Sequence, residues 1–230
     1  MTQHTFNGLP VGAPLSFTGP WPVPQAIELQ GQYCHLRRLH LDDAAGLFAA
    51  FETETTDRNW IYLPYDRPGS VTDMRNVLTD HCLTNDPYFY TIFNTTGQPV
   101  GFASYLRINP RDGTIEVGWI SMSPLMQRSA TSTEAMYLMM RHAMDDLGYR
   151  RYEWKCDSLN APSRQAALRL GFTYEGTFRQ LTHYKDRNRD TAWFSILDGE
   201  WPALKQRFKT YLAADHFDQN GQQIRRLQEC

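Results

Sequence analysis

The feature that most constrains this chain is three strand-like segments with very little chain between them, followed by a long amphipathic helix. YFYTIFN (88–94) and QPVGFASYLRI (98–108) flank Thr95–Thr96–Gly97, which predicts a hairpin. RDG (111–113) turns the chain again into TIEVGWISM (114–122), whose Ile, Val and Trp content favours a strand. From about 132 to 147, Met136, Met139, Met140, Ala143, Met144 and Leu147 recur at helical spacing, and Gly148 supplies the stop. A meander feeding a helix commits the chain to a sheet with a helix laid on one face.

The flanking segments extend that plan. QYCHLRRLHL (32–41) reads as a short strand, and LDDAAGLFAAFETE (41–54) as a helix with Leu47, Phe48 and Phe51 in phase. An aromatic loop broken by prolines, RNWIYLPYDRP (58–68), leads to a second helix, VTDMRNVLTDHC (71–82). Downstream, YEWKC (152–156) is a buried-looking strand and APSRQAALRL (161–170) a helix closed by Gly171. FTYEGTFRQLTHYK (172–185) and DTAWFSILD (190–198) read as two strands about an Arg187–Asn188–Arg189 turn. EWPALKQRFKTYLA (200–213) is a terminal helix that tolerates Pro202 in its first turn.

Residues 1–30 carry Pro10, Pro14, Pro20, Pro22 and Pro24, which predict an extended N-terminal arm draped on the domain. Residues 31–215 form the domain itself, and the polar stretch 216–230 reads as a frayed tail. This order of elements makes an α/β or α+β sheet domain. No G-x-G-x-x-G follows a strand and no G-x-x-x-x-G-K-[ST] occurs, which excludes a doubly wound nucleotide fold.

With 230 residues, 41% of them hydrophobic, the chain can fold around its own core without staples. The formal charge of −2, spread without a basic block, argues against a nucleic-acid partner. Cys34, Cys82, Cys156 and Cys230 show no C-x-x-C spacing, so they read as free thiols in a reducing compartment and not as a zinc or disulfide framework. With no signal-like start and no run of ~20 apolar residues, a cytoplasmic protein without a membrane partner or a metal is expected.

The stretch MSPLMQRSATSTEA (122–135) joins the third strand to the long helix and is crowded with small hydroxyl residues. A helix start leaves about four amides without internal partners, and the helix dipole adds partial positive charge there. Such a place accepts a phosphate without a dedicated cation. Plain N-capping by Ser129, Thr131 or Ser132 accounts for the same residues.

Met122-x-Pro124-x-x-Gln127-Arg128-Ser129-Ala130-Thr131-Ser132 resembles the V-x-P-x-x-[QR]-x-x-G-x-[GA] acyl-CoA loop of the GNAT N-acetyltransferase superfamily. Thr133-Glu134-Ala135 is similar to the continuation found in the branch of the ribosomal-protein alanine acetyltransferases. So are Asn160-Ala-Pro-Ser163-Arg164 and Leu170-Gly171-Phe172-x-x-Glu175-Gly176 further on. The resemblance covers roughly residues 30–215. It departs from the family at Ala130, where relatives carry the loop's central glycine, and at Ser132.

The resemblance implies a mixed, mostly antiparallel central sheet flanked by helices, with splayed central strands. It also implies an enzyme that moves an acetyl group from acetyl-CoA directly to a primary amine, at a protein N-terminus or on a small molecule. An acyl-CoA-binding or interaction module that has lost turnover is the alternative, and Ala130 is its main support. The cofactor would lie against Gln127, Arg128, Ser129, Ala130, Thr131 and Ser132, the backbone of Ile120 and Met122, and Asn160, although Asn160 serves equally as an N-cap. Glu116 on the third strand is the candidate base acting through water, with His183 its rival; Ser163 is the candidate thiolate-protonating acid, with Tyr174 and Tyr184 behind it. Glu116 can instead pair with an arginine, and Ser163 can be an ordinary first-turn hydroxyl. Cys156 lacks a His/Asn partner pattern, so a covalent route is not expected. Trp60, Tyr62 and Tyr65 either wall the acceptor pocket or pack their own loop, and Trp119 reads as core. The arm or the terminal helix can also pack on a second subunit, so a homo-oligomer stays open.

Overall fold

Two-residue alternation divides the interior into two cores on opposite faces of one sheet. Along the strand at 88–94, Tyr88, Tyr90 and Ile92 join the larger buried cluster, while Phe89 between them joins the smaller one. The computed structural model describes residues 4–54, 56–218 and 223–230. Among these the chain runs β1 (His4–Phe6), β2 (Leu9–Val11), β3 (Glu28–Gln30), β4 (Cys34–Arg38), α1 (Ala44–Glu52), α2 (Val71–His81), β5 (Tyr88–Asn94), β6 (Pro99–Asn109) and β7 (Thr114–Met122). It continues through α3 (Ala130–Arg141), β8 (Arg151–Asp157), α4 (Ala161–Arg169), β9 (Thr173–Tyr184), β10 (Arg187–Leu197) and α5 (Trp201–Leu212).

β1 and β2 pair only with each other, and the other strands form a sheet in the order β3-β4-β5-β6-β7-β8-β10-β9. Neighbours in that sheet are antiparallel except β7 and β8, which are parallel. α1 and α2 cover one face through Leu47, Phe51, Met74 and Leu78. α3 and α5 pack on the other face through Met136, Met139, Met140, Leu204 and Phe208, with Ala167 of α4 beside them. This is the mixed, mostly antiparallel sheet flanked by helices that the resemblance implies.

Several local expectations are corrected. The turn between the last two strands is Lys185–Asp186, both at positive φ (48° and 57°), so Arg187, Asn188 and Arg189 belong to β10. Two successive left-handed residues match the twist of a two-residue hairpin, which moves the turn two residues earlier than the Arg-rich stretch suggests. The long helix begins at Ala130 and ends in a π turn over His142–Asp146. The N-terminal segment holds the short β1–β2 hairpin and contributes β3 to the main sheet. It is fastened by Trp21, whose indole donates to Gly148 O at 2.7 Å and whose amide donates to Pro110 O at 2.8 Å. The tail expected to fray folds back: Leu227 is 4% exposed and joins the larger core. Residues 219–222 of that tail lie outside the described residues.

Candidate active site

The site begins with a fault in β7. β7 and β8 pair from Thr114↔Arg151 to Val117↔Trp154, where their ladder ends. At the same place β7 carries one residue more than β6, with Phe102 opposite Ser121 but Ser104 opposite Gly118. Trp119 sits in this bulge at φ 51°. Positive φ is uncommon for a non-glycine residue, and an extra residue bends the bulged strand. The ring of Trp119 is held from the α1–α2 face by Tyr65, His81 and Phe89, at centroid distances of 5.8–5.9 Å. Bent at this point, β7 leaves β8 and opens a cavity of about 600 Å³ through the sheet.

Trp154, Cys156, Asn160 and Ser163 line one side of the cavity, and Tyr62, Arg107, Glu116, Lys155 and His183 line the other. On the first side, Asn160 Oδ1 caps α4 by accepting the Ser163 amide at 3.1 Å. The Trp154 indole donates to Ser163 Oγ at 3.0 Å. Because an indole can only donate, Ser163 must accept from it and keeps its own proton for another partner. Burial pushes the neighbouring Cys156 thiol up, which keeps it protonated. Tyr184 donates to Asp157 Oδ2 at 2.8 Å, and burial, aided by that bond, pushes its phenol up to about 12. Tyr174 is bonded to Thr177 Oγ1 on β9 at 2.8 Å and is not among the cavity-lining residues.

On the other side, Glu116 is 3% exposed. Its Oε2 receives Arg107 Nη1 at 2.7 Å and lies 2.9 Å from Lys155 Nζ. Burial raises its pKa, against the pull of Lys155 and Arg107. Both cations address the same oxygen. A Cβ built on Gly118 would come within 3.3 Å of the other, Oε1, so glycine keeps that approach open. His183 is exposed on β9 and lines the same cavity.

The α3 N-terminus is built by a tight loop. Ser129 caps it with extended backbone (φ −122°, ψ 170°), accepting the Ser132 amide and donating to Met126 O at 2.6 Å. Ser132 Oγ returns a bond to Ser129 O at 2.8 Å, and Thr131 Oγ1 donates to Tyr33 O at 3.2 Å. Hence the loop hydroxyls are tied into the fold, whereas the amides of Ala130 and Thr131 have no intrahelical acceptor. The left-handed residue of this loop is Arg128, at φ 55°, while Ala130 is already the first helical residue. Alanine in place of glycine therefore removes no backbone conformation that the loop uses. Gln127 Nε2 donates to Met122 O at 2.8 Å, and Asn59 Nδ2 reaches the same carbonyl at 3.0 Å, so that acceptor at the end of β7 is taken. Ile120 lines the cavity on the unpaired part of β7. Glu134, one turn into α3, accepts the amides of Gln32, Tyr33 and Cys34 at 2.6–2.8 Å, which pins the β3–β4 connection to the helix start.

The three aromatic residues of the inter-helix loop separate. Tyr62 lines the cavity and its hydroxyl donates to Leu159 O at 3.2 Å, across the splay. Trp60 and Tyr65 lie in the smaller core behind the wall, where Trp60 meets Phe51 edge-on and donates to Glu54 Oε2 at 2.9 Å. Trp119, read as core, packs against this cluster and also lines the cavity. The β9–β10 hairpin tip is tied to the same loop, because Lys185 Nζ donates to Trp60 O at 2.9 Å, lies 2.8 Å from Asp66, and Arg187 Nη2 donates to Ile61 O at 3.0 Å. Lys155, Arg107, Asn59 and the β10 residues Arg189, Thr191 and Trp193 were not singled out from sequence. Alternation along R-D-T-A-W is the signal that would have found the last three.

No group of three or more His, Cys, Asp or Glu side chains that could hold a metal occurs among the described residues. No helix among them is long and apolar enough to cross a membrane.

A sheet split between two parallel neighbours, with a capped helix start beyond the split, defines an acyltransferase scaffold. The chain belongs to the acetyltransferase (GNAT) domain family, whose model matches residues 34–173. A GCN5-related N-acetyltransferase from Brucella melitensis shares 41% identity and superposes with a TM-score of 0.90, covering 94% of this chain and 98% of that one. A probable GNAT-family acetyltransferase from Chromobacterium violaceum ATCC 12472 shares 35% identity with a TM-score of 0.76, covering 84% and 97% respectively. A ribosomal-protein-serine acetyltransferase of Escherichia coli (strain K12) is 31% identical over 103 residues, which is 44% of this chain and 56% of that protein. The chain thus aligns with little more than half the length of this curated relative.

Proposed function

We propose that the chain transfers an acetyl group from acetyl-CoA to a primary amine by direct attack. The observation that carries this reading is the end of β7–β8 pairing at Val117↔Trp154, with Ser163 on one side of the opening and Glu116 on the other. When bound, acetyl-CoA supplies an activated acyl group. The free amides of Ala130 and Thr131 suit its diphosphate, and the unpaired edge of β7 about Ile120 suits its pantetheine amides.

The carboxylate of Glu116 takes the amine proton through water at Oε1, while Arg107 and Lys155 hold Oε2 in place. Its burial makes it a stronger base than an exposed carboxylate. Ser163, which already accepts from Trp154, donates its proton to the departing sulfur. His183 is the second candidate for the base, since it lines the same cavity with access to solvent. Cys156 stays protonated, which favours direct transfer over an acyl-cysteine route. The acceptor is an amine at the end of a slender chain or on a small molecule, consistent with a relative that acts on a ribosomal protein. The alternative of a binding module without turnover loses the conformational part of its support, because Ala130 is helical. Thiol release from acetyl-CoA across a panel of peptides, polyamines and amino acids tests the proposal. Release no faster than hydrolysis with every amine would overturn it.

A further inference from the structure

We propose that the amine-binding half of the cavity contains a carboxylate subsite formed by Arg189, Thr191 and Trp193, so that the acceptor carries a carboxylate close to its primary amine. This rests on the transferase reading above and names the acceptor's chemistry.

The three residues alternate along β10 and therefore share one face. The register sets that face: Trp193 lies opposite Lys155, and Thr191 opposite Asp157. All five side chains line the cavity. Among the described residues, Arg189 Nε, Thr191 Oγ1 and Trp193 Nε1 are buried atoms with no hydrogen-bond partner, and Thr191 is only 2% exposed. Leaving even one buried polar atom unpaired is costly, and three on neighbouring residues that line one cavity mark a place built for a ligand.

The donor inventory selects that ligand. A guanidinium and an indole only donate, and a hydroxyl can donate beside them, so the complementary group accepts at more than one oxygen. Charge narrows the choice further. Arg107, Lys155 and Arg189 line the cavity against Glu116 and Asp157. Arg107 and Lys155 are paired with Glu116, whereas Arg189 is in no salt bridge among the described residues. Arg189, whose guanidinium lies 5.9 Å from the Tyr184 ring centroid but meets no carboxylate among the described residues, stands beside two neutral donors and so fits a carboxylate better than a neutral carbonyl. The spacing fits a short acceptor, because Lys155 Nζ lies 3.8 Å above the Trp193 ring and 2.9 Å from Glu116 Oε2. One side chain therefore separates the carboxylate subsite from the proposed base, and an amine a few bonds from a carboxylate spans that distance.

Two measurements test the subsite. In the first, kcat/KM is compared for an α-amino acid and its carboxamide, and for C-terminally amidated peptides beginning with Asp or Asn, at a pH where all the amines are neutral. The wild-type protein is expected to prefer the carboxylate member of at least one pair, and Arg189→Gln to reduce that preference by about 10- to 100-fold. Thr191→Val should reduce it less. Which pair shows the preference tells a free amino acid from an acidic N-terminal residue. In the second, the Trp193 indole N–H resonance, assigned with Trp193→Phe, is followed on titration with an N-acetyl amino acid and with its carboxamide. A shift with the carboxylate alone supports the subsite even without turnover, an outcome that would count against the transferase reading instead. Turnover with equal use of both members of every pair overturns the subsite and leaves the transferase reading standing. So does a preference that Arg189→Gln leaves intact, and an indole that responds to neither ligand overturns the subsite as well.

Discussion

Lys155 Nζ lies 2.9 Å from Glu116 Oε2, and both side chains are nearly excluded from solvent, at 4% and 3% exposed. The same ammonium lies 2.7 Å from Glu153 Oε2, so one buried cation neutralises carboxylates on two parallel strands. Arg107 contributes from the surface with 60% of its side chain exposed. Lys155 thus holds the proposed base in its charged form against the burial that raises its pKa.

Lys155→Met should destabilise the fold by about 3–5 kcal/mol at neutral pH, the usual cost of orphaning a buried charge. The pH dependence has a definite sign. Glu116 has a folded pKa above its unfolded one, so its contribution to stability is present below the ordinary carboxylate pKa and fades as pH rises through the raised value. Removing the cation raises the folded value further. The deficit of the variant should therefore be large at pH 7.5 and small near pH 4.5, as read by thermal unfolding. The acidic limb of its rate profile should move to higher pH. An unchanged limb would hand the base role to His183.

Ser163→Ala is expected to lower turnover at saturating substrates by about 10²-fold or more. Stability should fall by only about 1 kcal/mol, because the Trp154 indole loses one acceptor. Steady-state kinetics with thermal unfolding alongside separates the two effects. Full turnover would show that bulk water protonates the sulfur.

Ala130→Gly restores the glycine of the family pattern, yet it should not rescue anything. Position 130 is helical, so glycine should cost about 0.5–1 kcal/mol of stability and leave coenzyme A affinity within about fivefold. Calorimetric titration checks this. A gain of tenfold or more would mean that the methyl does obstruct the diphosphate.

Glu134→Ala removes the carboxylate that accepts three consecutive amides, Gln32, Tyr33 and Cys34. A loss of about 2–4 kcal/mol is expected, because several donors lose their partner at once. Glu134→Gln should lose less. Gly31→Ala should behave similarly to the alanine variant, since a Cβ there would come within 2.4 Å of the carboxylate. Chemical denaturation of the three variants gives the comparison.

Much of this architecture is legible in the residues. β5 and β7 begin and end where YFYTIFN and TIEVGWISM do, because each is a dense β-former run bounded by turn residues. The Ser/Thr-rich loop before α3 and the Asn160–Ser163 helix start are equally local signals. What sequence hides is set by contacts between distant segments. Gly118 marks a break in β7, but the positive φ falls on Trp119 beside it, where aromatic neighbours from α2 and β5 hold the ring in place. The partners of Glu116 come from β6 and β8, and the split fate of Trp60, Tyr62 and Tyr65 depends on which face of an irregular loop meets the cavity. Leu227 was hidden by the polar residues around it, which mask a single apolar anchor.

The fastening of the β9–β10 tip to the inter-helix loop has a consequence for the shape of the cavity. Tyr62 of that loop and His183 of β9 both line the cavity, so the ties made by Lys185 and Arg187 set how far apart two of its walls can stand. Parting Lys185 from Asp66 would remove one of the ties between the two segments and leave those to Trp60 O and Ile61 O. Asp66 is exposed, at 92%, while the Lys185 side chain is at 20%, so added salt should weaken this tie from its outer end.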